Sequence, residues 1–416
     1  MPVSRRWLAA AGLCALLGCS SASSGVGEPI PIPSPLRQAQ DFEEWVAAFR
    51  SDALAQGISA KTFDNAFAGV KLSSKVIEAD RRQPEFERQI WTYLDGAVSE
   101  QRVRNGRALL TQNKPLLDDI GAKYGVDASY LVAIWGIESS YGAVMGDIDV
   151  IASLATLAFE GRRADWGRRE LLSALTIIEK GYADRPQLIG SWAGAMGQTQ
   201  FMPSAYLQYA VDYDGDGKRD VWSNLGDVFA STANYLAQAK WRRGEEWGRE
   251  VAMPAGFDLS LASESVVKPG REWRALGLSP VDSGGALDAD RNGSLLLPGG
   301  YTGPAFLVYP NYRTILAYNS STAYALAVGH LGDRLEGAPP IAGTWPVSEP
   351  PLARSEREDL QRMLALLGYD PGKTDGIVGA NTRAAIRLYQ QHIGVPADGF
   401  PTQALIARLR ADTQGR

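Results

Sequence analysis

Glu138 is the acidic residue whose surroundings could support acid–base chemistry. A helical pattern leads up to it, with Leu131, Ile134 and Trp135 on one face and Glu138 at the next position of that face. None of the residues three and four positions away is basic, so we expect a partly desolvated carboxyl group with a raised pKa, as a general acid requires. A glutamate at a helix end, where the turn over residues 139–142 lets it reach water, would produce the same pattern. The pattern alone leaves both interpretations open.

A second group of carboxylates lies between two short predicted helices. Acidic residues stand at the first, third and fifth positions of this loop and a glycine at the sixth, which is the start of an EF-hand pattern. These acids are Asp212, Asp214 and Asp216, and Lys218 can add its backbone carbonyl. Position twelve is Ser223 rather than glutamate, and a solvated turn is the alternative. Because hard oxygen ligands on one tight turn suit calcium, we predict a structural calcium site.

The composition argues against several other kinds of chemistry. The net charge of −5 over 416 residues is not that of a nucleic-acid-binding protein. His330 and His392 are far apart in sequence, which argues against a multi-histidine metal site or a Ser-His-Asp triad. The two cysteines, Cys14 and Cys19, both lie near the N-terminus, so we expect neither thiol catalysis nor a disulfide in the rest of the chain.

The N-terminal residues have the pattern of a secretory signal. Arg5 and Arg6 precede an apolar run over residues 7–18 that is too short to span a bilayer. Its end, Leu-Leu-Gly-Cys at residues 16–19, is similar to a bacterial lipobox, which implies a lipoprotein signal peptide over residues 1–18 and a lipid on Cys19. Ser20 favours the outer membrane by the same resemblance, and residues 19–37 are predicted to form a flexible tether. An ordinary signal peptide with a chance cysteine is the alternative.

Beyond the tether, the chain is predicted to be mainly α, with a smaller β part (α+β). Residues 38–336 have apolar residues at helical spacing, interrupted over residues 256–312 by glycine, proline and short β-prone segments. A proline-rich linker follows over residues 337–352. Residues 353–411 are predicted to form a compact helical unit, in which two Asp-Gly pairs mark a weak internal repeat.

Four separated segments resemble the motifs of one enzyme family in the same order. They are residues 79–86, residues 137–142 (Ile-Glu-Ser-Ser-Tyr-Gly), residues 191–204 and residues 317–328. Together they resemble the membrane-bound lytic murein transglycosylase B family, glycoside hydrolase family 103. The resemblance implies a lysozyme-like catalytic core with helical and small β subdomains and an EF-hand-like loop. Residues 353–411 resemble a three-helix peptidoglycan-binding domain, with a helical protein-interaction module as the alternative.

The resemblance implies a particular reaction. The family cleaves the β-1,4 bond between N-acetylmuramic acid and N-acetylglucosamine in peptidoglycan without water, and the muramoyl 6-hydroxyl attacks to leave a 1,6-anhydro end. Glu138 alone would then act first as acid and later as base, and catalysis would need no cofactor. Ordinary glycosidases use two carboxyl groups. A muramidase would need a second acid, for which the candidates are Asp147, Asp149, Glu160 and Asp165.

The resemblance also implies substrate contacts. The neutral residues that would bind sugar and acetamido groups are Ser191, Gln200, Tyr318 and Asn319. The tyrosines at cleft positions of the family, for which core packing is the alternative, are Tyr93, Tyr235 and Tyr324. Arg162 and Arg163 would attract stem-peptide carboxylates, unless they are simply solvated. Trp166 stands where the family more often has tyrosine, a change that keeps stacking but removes a phenolic hydrogen bond.

The remaining expectations concern the metal and the partners. The EF-hand-like loop of the family is longer than a standard one, which implies Asp227 as the last calcium ligand. We expect peptidoglycan glycan strands as the partner of a periplasmic monomer anchored by lipid to the outer membrane of a Gram-negative bacterium. A non-catalytic wall-binding lipoprotein is a further hypothesis, but intact Glu138, Gln200 and Asn319 argue against it.

Overall fold

The computed structural model describes residues 35–82, 88–282 and 284–414. In this part of the chain there are seventeen α-helices and seven strands, which confirms the predicted mainly α class. The fold divides into two compact units. Within the described residues, the first draws on residues 35–82, 108–239 and 317–320, and the second on residues 88–107, 240–282, 284–316 and 321–414.

The helices and strands are numbered in chain order. The helices are α1 (Pro35–Ala55), α2 (Ala60–Phe67), α3 (Ser74–Arg82), α4 (Ile90–Ala97), α5 (Glu100–Gln112), α6 (Lys114–Tyr124), α7 (Ala128–Ser139), α8 (Val150–Glu160), α9 (Ala164–Glu179), α10 (Pro203–Tyr209), α11 (Leu225–Gln238), α12 (Gly270–Ala275), α13 (Pro310–Tyr318), α14 (Thr322–Leu335), α15 (Arg354–Leu366), α16 (Ala380–His392) and α17 (Gln403–Gln414). The strands are β1 (Ile148–Asp149), β2 (Ile189–Gly190), β3 (Gly248–Ala252), β4 (Lys268–Pro269), β5 (Ser279–Pro280), β6 (Asn292–Leu296) and β7 (Ala305–Val308).

The helix that carries Glu138, α7, is embedded in the first unit. Every residue from 129 to 136 is buried, and the helix contacts α6 and α11. The apolar residues of α7 therefore face protein on all sides, whereas the sequence pattern predicted a single apolar face. A helix buried all round holds its last turn in a fixed place, because close packing leaves little room for movement.

A short antiparallel ladder connects the segment after α7 to the segment before residue 191. Strand β1 pairs with β2, with Ile148 opposite Gly190 and Asp149 opposite Ile189. The ladder thus joins the segment that follows the motif at residues 137–142 to the segment that precedes the motif at residues 191–204.

The second unit contains a five-stranded antiparallel sheet in the order β4-β6-β7-β3-β5. Its buried core includes Trp273, Leu295 and Leu307. Strand β3 begins at Gly248, before the stretch over residues 256–312 that was predicted to be β-prone. The sequence did not predict this strand because one short strand has no distinctive composition.

Helices α15, α16 and α17 surround a separate apolar core. The two Asp-Gly turns between them are held in the same way. Gln361 accepts the Gly376 N–H at 2.8 Å, and Gln390 accepts the Gly399 N–H at 2.8 Å. This repetition agrees with the internal repeat expected from sequence.

Across the three described ranges, no helix has both the length and the apolar character that crossing a bilayer requires. The expected signal peptide, Cys19 and most of the tether lie outside the described residues.

Candidate active site

Glu138 lies half-buried in the last turn of α7, just before the helix ends at a left-handed Ser140. Ser140 and Tyr141 follow with φ angles of 51° and 63°. Only four non-glycine residues in the described part of the chain have a positive φ, and Gln200 is another of these four. Such backbone is strained, and strain of this kind concentrates at functional sites.

Tyr318 is an electrostatic neighbour of Glu138. Burial is the main cause that raises the pKa of the Tyr318 hydroxyl well above its ordinary value, and the negative charge of Glu138 is the next. The hydroxyl donates a hydrogen bond to the carbonyl of Thr199 at 2.5 Å. Residues of the second, third and fourth sequence motifs therefore meet at this point, and Tyr318 stays neutral beside the carboxyl group.

Residues 190–201 form a tight loop, called here the glycine loop. Met196 and Phe201 exchange two backbone hydrogen bonds of 2.8 and 2.9 Å across it. The Ser191 hydroxyl is half-buried and accepts the N–H groups of Ala193 and Ala195 at 3.3 and 3.1 Å. The loop backbone thus fixes the direction of this hydroxyl.

The amide of Gln200 is oriented in a similar way. Its Nε2 donates to the carbonyls of Gly197 and Met145 at 2.8 and 3.1 Å, and the side chain is half-buried. Asn319, also half-buried, directly follows Tyr318. Amides of fixed orientation can distinguish the hydroxyl and acetamido groups of a sugar.

Tyr235 supports Tyr318 from within the first unit. Its ring centroid lies 4.7 Å from that of Tyr318, and its hydroxyl donates to the carbonyl of Ala317 at 2.6 Å. Burial raises the pKa of Tyr235. The other two predicted cleft tyrosines, Tyr93 on α4 and Tyr324 on α14, belong to the second unit, where Tyr93 is half-buried and Tyr324 buried.

Arg162 and Arg163 both form ion pairs with the buried Asp80. The Asp80 carboxylate lies 2.5 Å from Arg162 and 3.0 Å from Arg163. The Arg163 guanidinium also lies 5.6 Å from the centroid of Trp166 and 5.8 Å from that of Trp192 in the glycine loop. Asp80 balances part of the positive charge that was expected to attract stem peptides, and the arginine–tryptophan stack holds one side of the glycine loop.

Two of the acids considered as a second catalytic carboxylate have structural partners. Asp149 accepts the Ala152 N–H at the start of α8 and pairs with Arg185. Glu160 pairs with Arg81 at 2.7 Å. Asp147 and Asp165 are exposed.

Glu170 was not predicted from the sequence, although, like Glu138, it is an acidic residue among the apolar residues of a helix. It stands on α9 among the buried residues Gly167, Leu171 and Ala174. Its carboxylate accepts both the N–H and the hydroxyl of Ser204, at 2.9 and 2.7 Å, and burial raises its pKa. Glu170 therefore holds the start of α10, directly after the glycine loop.

The acidic loop, residues 212–227, brings three carboxylates together. Oxygen atoms of Asp212, Asp214 and Asp227 lie within 4.8 Å of one another. Asp216 is outside this group, and its Oδ1 accepts the Lys218 N–H at 2.8 Å. The three clustered acids are hard oxygen donors of the kind that calcium prefers.

Asp227 is the buried member of the cluster. Burial is the main cause that raises its pKa, and the charges of Asp214 and Asp212 act in the same direction. The N–H groups of Tyr213 and Asp220 donate to it at 2.7 and 2.6 Å. A cation would relieve the repulsion between these acids, so the donor set fits calcium.

Two parts of the chain match the profiles of known protein families. Residues 41–333 match the family profile described as Transglycosylase SLT domain, and residues 353–409 match the one described as Putative peptidoglycan binding domain. The chain belongs to the transglycosylase SLT domain family, as the four sequence motifs predicted.

Individual relatives are similar over different lengths. Membrane-bound lytic murein transglycosylase B of Escherichia coli (strain K12) is 36% identical over 242 residues, which cover 56% of this chain and 64% of that protein. The chain thus spans less than two thirds of that curated relative. The crystal structure of SltB3 from Pseudomonas aeruginosa in complex with NAG-anhNAM-pentapeptide is similar with a TM-score of 0.85 and 56% identity, covering 89% of this chain and all (100%) of that one. Escherichia coli lytic transglycosylase Slt35 in complex with calcium has a TM-score of 0.60 and 29% identity, covering 72% and 93%.

Proposed function

We propose that the protein is a lytic transglycosylase that cleaves the β-1,4 bond between N-acetylmuramic acid and N-acetylglucosamine in peptidoglycan and leaves a 1,6-anhydromuramoyl end. The observation that carries the proposal is a half-buried carboxyl group, Glu138, beside the neutral Tyr318 at the end of a buried helix. The membership of the transglycosylase family and the similarity to lytic transglycosylases support it.

In this proposal Glu138 transfers the proton twice. It first donates its proton to the bridging oxygen, so that the bond to the muramoyl C1 breaks and the leaving sugar departs as an alcohol. The muramoyl 6-hydroxyl then attacks C1, and the Glu138 carboxylate removes the hydroxyl proton. The enzyme returns to its starting protonation state, and no water is consumed.

We infer the roles of the other predicted site residues from their chemistry. Ser191, Gln200 and Asn319 would bind the hydroxyl and acetamido groups of the sugar, and the fixed orientation of the Ser191 and Gln200 side chains supports this. The hydroxyl groups of Tyr235 and Tyr318 donate their hydrogen bonds to backbone carbonyls. We therefore infer that these two side chains form part of the wall of the site. Trp166 packs against the Arg163 guanidinium, and Arg163 also forms an ion pair with Asp80. Any attraction of stem-peptide carboxylates by Arg163 would therefore add to these two structural contacts.

The reaction is tested by digestion of sacculi in water enriched in heavy oxygen, followed by mass analysis of the muropeptides. A transglycosylase gives anhydromuramoyl ends without label. Label at the muramoyl ends would identify a muramidase that uses water, and the absence of products would support a non-catalytic wall-binding protein.

We infer that calcium binds the acidic loop through Asp212, Asp214 and Asp227, with further oxygens from Asp216 and the Lys218 carbonyl. The clustering of three carboxylates and the complex of the related Slt35 with calcium support this site. Its role is structural, since the loop supplies no proton donor to the reaction.

We also propose a lipid anchor at Cys19 and a periplasmic location at the outer membrane. The lipobox-like sequence followed by Ser20 supports it, as does the similarity to a membrane-bound relative. Cys19→Ala should release the protein from membranes or block its processing, and unchanged fractionation together with unchanged processing would refute the anchor.

We propose that residues 353–411 bind the cell wall, as the match to a peptidoglycan-binding family supports. The chain before this unit is tied to the sheet. Glu250 accepts the N–H groups of Ala342 and Gly343 at 2.8 and 2.7 Å, and Trp345 packs on Phe306. The truncated protein should therefore retain the chain up to residue 352, so that these contacts remain. It should weaken pelleting with sacculi but leave cleavage of short soluble glycans nearly unchanged, and equal pelleting would mean that the unit has another role.

A further inference from the structure

Gln198 is buried between the helix of Glu138 and the acidic loop, and all four of its polar heavy atoms form hydrogen bonds. Towards α7, its Oε1 accepts the indole N–H of Trp135 at 2.7 Å, and its carbonyl accepts the hydroxyl of Ser139 at 2.6 Å. Towards the acidic loop, its N–H donates to the Val221 carbonyl at 2.9 Å, and its Nε2 to the Trp222 carbonyl at 2.8 Å. One residue thus connects two regions that are far apart in sequence.

The contacts with α7 bracket Glu138. Trp135 precedes it by one helical turn, and Ser139 follows it directly. Ser139 is buried, and its oxygen also accepts the Gly142 N–H at 2.8 Å, so the hydroxyl fixes the strained turn at the end of the helix. A shift of Gln198 would therefore change both sides of the residue that carries the proton.

The contacts with the acidic loop lead to the clustered carboxylates. Trp222 donates its N–H to Asp220 at 2.9 Å, and Asp220 donates its own N–H to the Asp227 carboxylate at 2.6 Å. Asp227 in turn belongs to the group of three acids whose oxygens lie together. A continuous series of hydrogen bonds thus joins the cation-binding acids to the last turn of α7.

Two glycines beside this series have no room for a side chain. A Cβ atom added to Gly142, whose φ is 83°, would lie 2.4 Å from Oε1 of Gln198. One added to Gly197, whose φ is 72°, would lie 2.6 Å from the Val221 carbonyl oxygen. Both contacts are far too short for a side chain, so these two positions require glycine, and a displacement on one side must be transmitted to the other.

We propose that Gln198 is a positioning residue that couples cation binding in the acidic loop to the placement of Glu138, and hence to the affinity of the site for glycan. The inference rests on the proposed calcium site and the proposed reaction. Such coupling is reciprocal, so calcium must raise glycan affinity by the same factor by which glycan raises calcium affinity.

The experiment uses the full chain carrying Glu138→Gln, which keeps the glycan uncleaved. Calorimetry measures the Kd of a soluble peptidoglycan tetrasaccharide with and without calcium, and the Kd of calcium with and without the tetrasaccharide. We expect the two ratios to agree at about fivefold or more, the lower end of typical coupling. Adding Gln198→Met, which removes both side-chain hydrogen bonds at similar length, should bring both ratios close to one. The matched control is Gln238→Met on the exposed end of α11, which should leave them unchanged.

A second measurement separates positioning from general damage. In the otherwise native enzyme with calcium, Gln198→Met should lower kcat about tenfold or more and raise KM by no more than the measured coupling factor, because Gln198 acts on the placement of the proton-transfer group and makes no sugar contact of its own in this proposal. If this variant does not fold, Ser139→Ala cuts the same series at its other end and should also abolish the coupling.

The outcomes distinguish the possible failures. Calcium that binds the wild-type loop without changing glycan affinity would overturn the coupling while leaving the calcium site and the reaction in place. Absence of calcium binding would overturn both the site and the coupling, and cleavage by the Glu138→Gln protein would overturn the proposed reaction. Retention of both ratios in folded Gln198→Met would show that the coupling does not pass through Gln198.

Discussion

Glu138 and Glu170 are two acids on apolar faces of helices in the same unit, and the structure treats them differently. Both oxygens of Glu170 are engaged by Ser204, and its side chain is only 6% exposed. Glu138 is half-buried at a helix end, beside a strained turn and the neutral Tyr318. Burial alone therefore does not indicate a catalytic acid, because both oxygens of the buried Glu170 accept hydrogen bonds that hold the start of α10.

The same substitution at both positions tests this comparison most directly. Glu138→Gln should lower kcat by more than the roughly 100- to 10,000-fold typical of one acid–base group, since Glu138 serves in two steps of the proposed reaction. Glu170→Gln should stay within severalfold of wild type, because its amide can accept the Ser204 N–H and donate to the Ser204 hydroxyl. Rates are measured on purified sacculi, with circular dichroism to verify folding. Comparable losses in the two variants would remove the distinction between them.

The acidic loop differs from both Glu138 and Glu170, because its three clustered carboxylates repel one another. Calcium at 100 times its Kd should stabilise the protein by about 2.7 kcal/mol, because it binds only the folded loop. A chelator should therefore lower the melting temperature of wild type, but not that of the Asp212→Asn, Asp214→Asn double variant. Asp290→Asn, at an exposed acid outside the acidic loop, is the matched control and should retain the full response. Equal melting with and without calcium, after thorough removal of metal, would refute the site.

A larger change at Glu170 should affect stability rather than chemistry. Glu170→Leu fills a similar volume but leaves the N–H and hydroxyl of Ser204 without their acceptor, which should lower the free energy of unfolding by about 1–3 kcal/mol. Denaturation in urea measures this loss. Activity per folded molecule at low temperature should remain close to that of wild type, and a loss as deep as that of Glu138→Gln would give Glu170 a part in the reaction.

The smallest expected effect is a dependence of stability on pH. Burial raises the pKa of Glu170 above its ordinary value of 4.5, so between these two values the folded protein binds more protons than the unfolded chain. The stability that the protonated form contributes is present below pH 4.5 and is lost as the pH rises through the folded pKa. Relative to Glu170→Gln, which does not titrate, wild type should therefore lose melting temperature over this window. A constant difference between the two proteins would show that the pKa is unshifted.

Local patterns in the sequence determined much of this protein. The apolar spacing before Glu138, the Asp-Gly turns and the alternation of acids at residues 212–216 depend on helix period and turn chemistry, which act between near neighbours. The resemblance of four motifs then supplied a reaction and a family, and the family is confirmed. That Glu138 and Glu170 both interrupt apolar faces is also visible in the sequence.

Only the tertiary structure decided what each polar side chain does. Asp80 meets Arg162 across 82 positions, Ser204 reaches Glu170 across 34, and Trp135 reaches Gln198 across 63. No periodicity encodes such partners, because hydrogen bonds between distant segments depend on how helices pack and not on local conformation. For this reason the pairing of Glu170 with Ser204, and the position of Tyr318 beside Glu138, became visible only in the folded chain.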